Sequence, residues 1–188
     1  DQIILGVLLG SGEAQSNLNQ HEKAIEMFSR AFSVSQKIGI KYSAMLSARY
    51  LSMNYFKLKN FIKSIEYSKQ AIKLIKKEGR ELDAIQNLNI ASELGVISTS
   101  YWSLKENEKA IENQLQALEI YQKVGSKSQI AWSYESLGMI YSQTDQQMMA
   151  IDSFVAGLEV YRELNNDIAI ARILDSIGVI YRDLGKLD

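Results

Sequence analysis

The chain has 188 residues, 21 basic and 22 acidic side chains for a formal charge of −1, no cysteine, no proline and one histidine. Without cysteine there is no disulfide framework, thiol nucleophile or zinc–thiolate site, and one histidine leaves no pair for a His-based metal site. The near-neutral balance lacks the basic field that nucleic acid or an anionic membrane requires, while the length suffices for a continuous core.

The chain opens on Asp1, from which a fragment or a processed product is expected, and no charged segment precedes the apolar stretch 3–9. That stretch is short and interrupted by Gly6 and Gly10, so it does not cross a bilayer. No signal peptide is visible, and the absence of cysteine fits a reducing, cytoplasmic setting.

Internal periodicity dominates the rest. Tyr55, Tyr101, Tyr141 and Tyr181 recur at intervals of 46, 40 and 40. Gly39, Gly79, Gly125 and Asn165 recur at 40, 46 and 40, and the small residues Gly12, Ser52, Ser98, Gly138 and Gly178 share one phase. So do Ala24, Ser64, Ala110 and Ala150, each followed by isoleucine, and Ala31, Ala71, Ala117 and Gly157 seven residues on. Repeats are expected over 3–38, 41–78, 81–124 and 127–164, with a half repeat at 167–188, forming one array.

The first repeat carries Leu8, Gly12, Ala24, Phe28 and Ala31, with Gln15 where later units place tyrosine. Its His21 sits in a turn beside Glu22, a position for packing or solvent contact. The second repeat bears Lys69, Lys73, Lys76 and Lys77 on its second helix, a solvated face or, alternatively, a contact for an anionic partner. The third has six extra residues between Gly79 and Tyr101. Leu82, Ile85, Leu88 and Ile90 continue a nearly helical spacing, so a lengthened helix of about 24 residues is expected, a loop carrying Asn87 and Asn89 being the alternative. Glu106 and Glu108 lie on a turn among lysines, which makes no catalytic dyad.

The fourth repeat shows the pattern most clearly. Tyr134, Leu137, Gly138 and Tyr141 fall at i, i+3, i+4 and i+7; the turn Thr144-Asp145-Gln146 follows; then Ala150, Ile151, Phe154 and Leu158 make a second apolar stripe. Gly138 and Ala150 remove bulk where the paired helices cross. Gly39, Gly79, Gly125 and Asn165 stand where a left-handed residue ends each second helix, so capping falls to glycine and asparagine alone. The half repeat supplies a first helix and its turn. It leaves Leu174, Ile177, Ile180 and Tyr181 covered on one side, an apolar end open to self-association.

These residues resemble the tetratricopeptide repeat. Tyr134, Leu137-Gly138, Tyr141, Ala150, Phe154 and Gly157 follow its signature, and the segments Leu18-Asn19-Gln20-His21-Glu22-Lys23-Ala24 and Leu104-Lys105-Glu106-Asn107-Glu108-Lys109-Ala110 are similar to its turn between helices. The resemblance covers essentially the whole chain, but the period of 40 exceeds the family's common value of about 34 and is similar to repeats of bacterial peptide-sensing regulators and signalling scaffolds.

The resemblance implies an all-α solenoid of antiparallel helix pairs, a right-handed superhelix, with first helices lining a concave groove. The groove positions it implies are Leu46, Arg49, Met53 and Phe56; Ser92, Gly95, Thr99 and Trp102; Trp132, Glu135, Met139 and Ser142; and Arg172, Asp175, Val179 and Arg182. It further implies a non-catalytic protein- or peptide-binding module of a larger regulatory protein, without cofactor. The expected ligand has apolar anchors and acidic groups; the alternatives are a sensor of a short signalling peptide and a structural self-assembly element. The lysine and asparagine clamp of chaperone-tail-binding members is absent.

Overall fold

The computed structural model describes residues 1–76, 82–144 and 146–185. Among them are nine α-helices and no strand: α1 (Gln2–Asn17), α2 (His21–Lys37), α3 (Lys41–Lys57), α4 (Phe61–Lys76), α5 (Ala84–Ser103), α6 (Asn107–Val124), α7 (Lys127–Ser142), α8 (Gln147–Glu163) and α9 (Asp167–Asp183). They fall into two compact units, Asp1–Lys105 and Glu106–Asp188. Within each unit, successive helices pack on one another, and in the first unit α3 also touches α5. Within each unit the fully described connections, of two or three residues each, make neighbouring helices antiparallel.

Helix ends are punctuated as expected, and more often. Gly39, Gly125 and Asn165 take positive φ of 75°, 78° and 53° after α2, α6 and α8; Gly79 lies outside the described residues. Four of the first helices, α1, α3, α5 and α9, end the same way, at Asn19 (57°), Lys59 (58°), Lys105 (65°) and Gly185 (65°). The two lysines correct the expectation that glycine and asparagine alone do this work. A left-handed lysine is strained by roughly 1–2 kcal/mol, and the hydrogen bonds of the motif offset it. Lys59 N–H donates to the Phe56 carbonyl and Asn60 N–H to the Tyr55 carbonyl, satisfying two groups the helix end leaves open. Gly125→Val puts a β-branched residue at φ 78° and is expected to lower stability by about 1 kcal/mol or more, read as a reduced urea midpoint.

The lengthened element is a helix, so Asn87 and Asn89 are not on a loop. It starts at Ala84 and has 20 residues, fewer than the sequence spacing implied. The reason is a capping box at Asp83: its carboxylate accepts from the Gln86 N–H at 2.7 Å, and the Gln86 side chain accepts from the Asp83 N–H at 3.2 Å. Arg80 and Glu81, counted in the longer helix, lie outside the described residues, as do Lys77, Asp145 and 186–188.

The small-residue phase has a more specific meaning than helix crossing. A Cβ built on Gly12 would stand 2.6 Å from the Phe28 ring, and one on Gly138 2.6 Å from the Phe154 ring. Each glycine is a seat for an aromatic side chain sixteen residues on, both rings being fully buried. In the second repeat serines fill the same two positions, and Ser52 Oγ lies 2.7 Å from Ser68 Oγ instead. Close backbone approach occurs at Gly157, where a Cβ would meet the Ala131 carbonyl at 3.3 Å.

Candidate functional site

The first helices of the second and third repeats, α3 and α5, present one face each to the space between them. On α3 this face carries Tyr42, Leu46, Arg49, Tyr50 and Met53, spaced as a helical stripe; on α5 it carries Gln86, Asn89, Ser92, Glu93 and Val96. Arg49 joins the two. Its Nε donates to Glu93 Oε1 at 2.9 Å and its Nη1 to Asn89 Oδ1 at 2.7 Å. From the other side Ser68 Oγ, on α4, donates to Glu93 Oε2 at 2.6 Å.

Glu93 is only 4% exposed. Burial raises its pKa above the usual carboxylate value, and the hydrogen bonds from Ser68 and Arg49 and the charge of Arg49 oppose that rise. Behind it the polar chain continues through buried serines. Ser52 Oγ contacts Ser68 Oγ and donates to the Ser64 carbonyl at 2.9 Å. Beside it Tyr50 donates to Glu13 at 2.5 Å, and burial together with that carboxylate pushes its phenol up to about 12.

Two cavities open on this face. One, of about 190 Å³, is lined by Leu46, Arg49, Tyr50, Met53, Ser92, Glu93 and Val96. The other, of about 290 Å³, is lined by Lys41, Tyr42, Met45, Leu74, Ile75, Asp83, Ile85, Gln86 and Asn89. The first suits an apolar side chain: Leu46, Met53 and Val96 give it aliphatic walls beside Tyr50, and its one cationic group is held in place by Glu93.

In the second unit Glu135 takes the comparable role. It is 5% exposed; Arg172 donates to it through Nε at 2.5 Å and Nη2 at 2.9 Å, and Tyr161 donates at 2.8 Å. The bidentate geometry fixes α9 against α7, and the phenol of Tyr161 is pushed up to about 12 by burial and then by Glu135.

The sequence-derived groove residues therefore divide. Met53 and Trp132 are exposed, at 45% and 40%. Arg49 and Met53 share the smaller cleft. Arg49, Glu135 and Arg172 hold first helices together through internal ion pairs. Phe56 packs edge-on against Phe61, with centroids 5.5 Å apart, and Thr99 donates to the Gly95 carbonyl. Trp102 and Met139 are half-buried, while Asp175 and Arg182 are exposed, Arg182 lying 3.7 Å from Asp183.

Sequence reasoning missed Glu93, Asn89, Tyr50 and Glu13. Glu93 had a signal: it is the sole acidic residue of α5, and it falls in the stripe Ile90, Glu93, Leu94, Ile97. An acid in a buried stripe needs a partner.

His21 Nδ1 lies 2.9 Å from Asn54 Oδ1, a packing contact between α2 and α3. Lys69 donates to the Tyr101 hydroxyl at 3.1 Å. Among the described residues no group of three or more acidic, histidine or cysteine side chains could hold a metal ion. No helix among them is long and apolar enough to cross a membrane. On α9, Ile168, Leu174 and Val179 are exposed.

Comparisons with known proteins agree with this architecture. Models described as tetratricopeptide repeat match residues 89–163 in one case and 6–38 and 51–78 in another. A comparison with curated protein sequences finds no match. Among solved structures, the apo form of RapI superposes with a TM-score of 0.87 at 16% identity, over 98% of this chain and 50% of that one. Aspartyl phosphate phosphatase F from Bacillus subtilis gives 0.82 at 20% identity, over 98% of this chain and 47% of that one. A Rap protein complexed with Competence and Sporulation Factor gives 0.71 at 17%, over 97% and 50%. The chain thus spans about half the length of these three proteins.

Proposed function

Because the chain belongs to the tetratricopeptide repeat family, we propose that it is a non-catalytic module that binds a protein or peptide through its first helices, within a larger regulatory protein of the cytoplasm. The observation that carries this reading is the cleft between α3 and α5. It combines exposed Met53 with Leu46 and Val96, and Arg49 is pre-oriented at its floor by Glu93 and Asn89. Apolar walls with a few fixed polar groups are what a side-chain anchor of a peptide needs, and a held guanidinium loses little entropy when it meets a ligand. The exposed groove-side Trp132 of the second unit is a further anchor in this proposal. The exposed side of α9 is where self-association would form.

A second reading, the sensor of a short signalling factor, is favoured by the likeness of fold to a Rap protein complexed with such a factor. Both readings place the ligand on the first helices.

Met53→Glu tests the cleft without touching the core, since Met53 is exposed. Panning the whole chain against a random twelve-residue peptide library is expected to enrich apolar-anchored sequences. The Met53→Glu variant, with unchanged helicity, is expected to lose at least about tenfold in affinity for them. Equal affinity of variant and parent for every enriched peptide would count against the cleft.

A further inference from the structure

The larger cavity of the first unit is left over once the Met53 cleft has its role. It exists because α5 starts where the Asp83 capping box puts it, which sets Ile85 and Gln86 opposite the first turns of α3. Its floor is apolar, with Met45, Leu74 and Ile75, and its rim carries two large side chains that solvent reaches freely: Ile85 is 71% exposed and Tyr42 69%.

The two cavities lie end to end on the same helix faces. On α3 the stripe runs from Tyr42 through Arg49 to Met53, and on α5 from Ile85 through Asn89 to Val96. The Arg49–Asn89 hydrogen bond at 2.7 Å stands between them. At 1.5 Å per residue along either helix, their centres are roughly 10–12 Å apart.

We infer that this cavity is a second side-chain pocket, filled by an apolar residue of an extended peptide whose other apolar residue occupies the Met53 cleft. This rests on the reading of that cleft as a peptide site. The strip between the pockets is polar, with Arg49, Asn89 and Gln86, and an extended main chain has free N–H and C=O groups to offer such a strip, whereas a helix has already paired its own. An extended chain brings side chains back to one side every third residue in the polyproline II form, at about 3.1 Å per residue, and every second residue in a strand, at about 3.3 Å, so two pockets 10–12 Å apart take side chains three or four residues apart. Lys41, at the outer rim of the larger cavity, makes no ion pair among the described residues, and Asp83 beside it is engaged in its cap. The peptide therefore carries an acidic residue next to the side chain in this pocket.

The probes are fluorescein-labelled serine peptides with one leucine, with two leucines three or four apart, or with two leucines seven apart. Each is made with aspartate before the first or after the last leucine, and anisotropy is read with the whole chain. The two-leucine peptides of short spacing are expected to bind about tenfold tighter than the one-leucine peptide. Ile85→Glu removes that advantage and leaves one-leucine binding intact, and Lys41→Ala removes the preference for one aspartate position. Met53→Glu removes the binding of all. Absence of a spacing preference, or an advantage that survives Ile85→Glu, overturns the second pocket while one-leucine binding sensitive to Met53→Glu leaves the cleft standing. No binding by any peptide overturns both.

Discussion

Phe154→Ala is expected to destabilise the protein by about 3–5 kcal/mol, one of the two largest effects of a single substitution here. Phe154 is 1% exposed and sits in the centre of the second unit's core, among Leu137, Tyr141, Ala150 and Leu158. Removing its ring forfeits the buried area and leaves a cavity that two packed helices cannot close. The seat opposite gives a sharper test. At Gly138 a Cβ would stand 2.6–2.8 Å from three atoms of that ring, so even Gly138→Ala forces the ring or the helix to shift and should cost about 1–3 kcal/mol.

The same change at Gly178, which shares the phase but meets nothing within 4 Å, should be neutral or stabilising by up to about 1 kcal/mol through helix propensity. Urea unfolding of the three variants checks the set. Pairing Gly138→Ala with Phe154→Leu should lose less than the sum of the two single changes, because the atoms in conflict are the ring's. Equal losses at Gly138 and Gly178 would mean that the glycine phase reflects backbone needs and not the ring seat.

Glu93→Ala is the second large effect, about 2–4 kcal/mol. The carboxylate ties three helices, taking Arg49 from α3 and Ser68 from α4 while sitting on α5. Its loss leaves the Ser68 hydroxyl with Ser52 and the Arg49 guanidinium with Asn89 as their remaining partners; Arg49, being 29% exposed, recovers part of its solvation from water, which holds the figure below that of a wholly buried pair.

The pH dependence gives a signature of its own. Burial holds the Glu93 pKa above the usual 4.5, so the folded chain binds this proton more tightly than the unfolded one. Stability attributable to Glu93 is therefore greatest below 4.5 and falls as pH rises from there through the folded value. Glu93→Gln removes this titration, and subtracting its stability profile from that of the parent cancels the other groups. The difference is expected to fall with rising pH. A difference that rises would show that the pull of Arg49 outweighs burial.

The repeat itself was open to sequence reasoning because its determinants are local. Gly39 and Gly125 stand where a left-handed residue was needed, and the stripe from Tyr134 to Tyr141 states which face of α7 turns inward. Lys59 and Lys105 escaped because nothing in a lysine announces a positive φ; the hydrogen-bonded end of the helix and the next helix's entry impose it. The late start of the long helix was written in Asp83 and Gln86, a capping pair hidden within an apparently continuous stripe.

What the sequence by itself determined is the helical repeat, its phase and its punctuation, since helix formation and burial depend on neighbours within a turn or two. Only the tertiary structure decided which partners the side chains of the first helices meet. Arg49 meets Asn89 and Glu93 forty and forty-four residues away, and Arg172 meets Glu135 at thirty-seven. Long side chains can reach several partners at such distances, and periodicity does not say which. The two cavities follow from that choice, because the Arg49 bridge divides the space between α3 and α5.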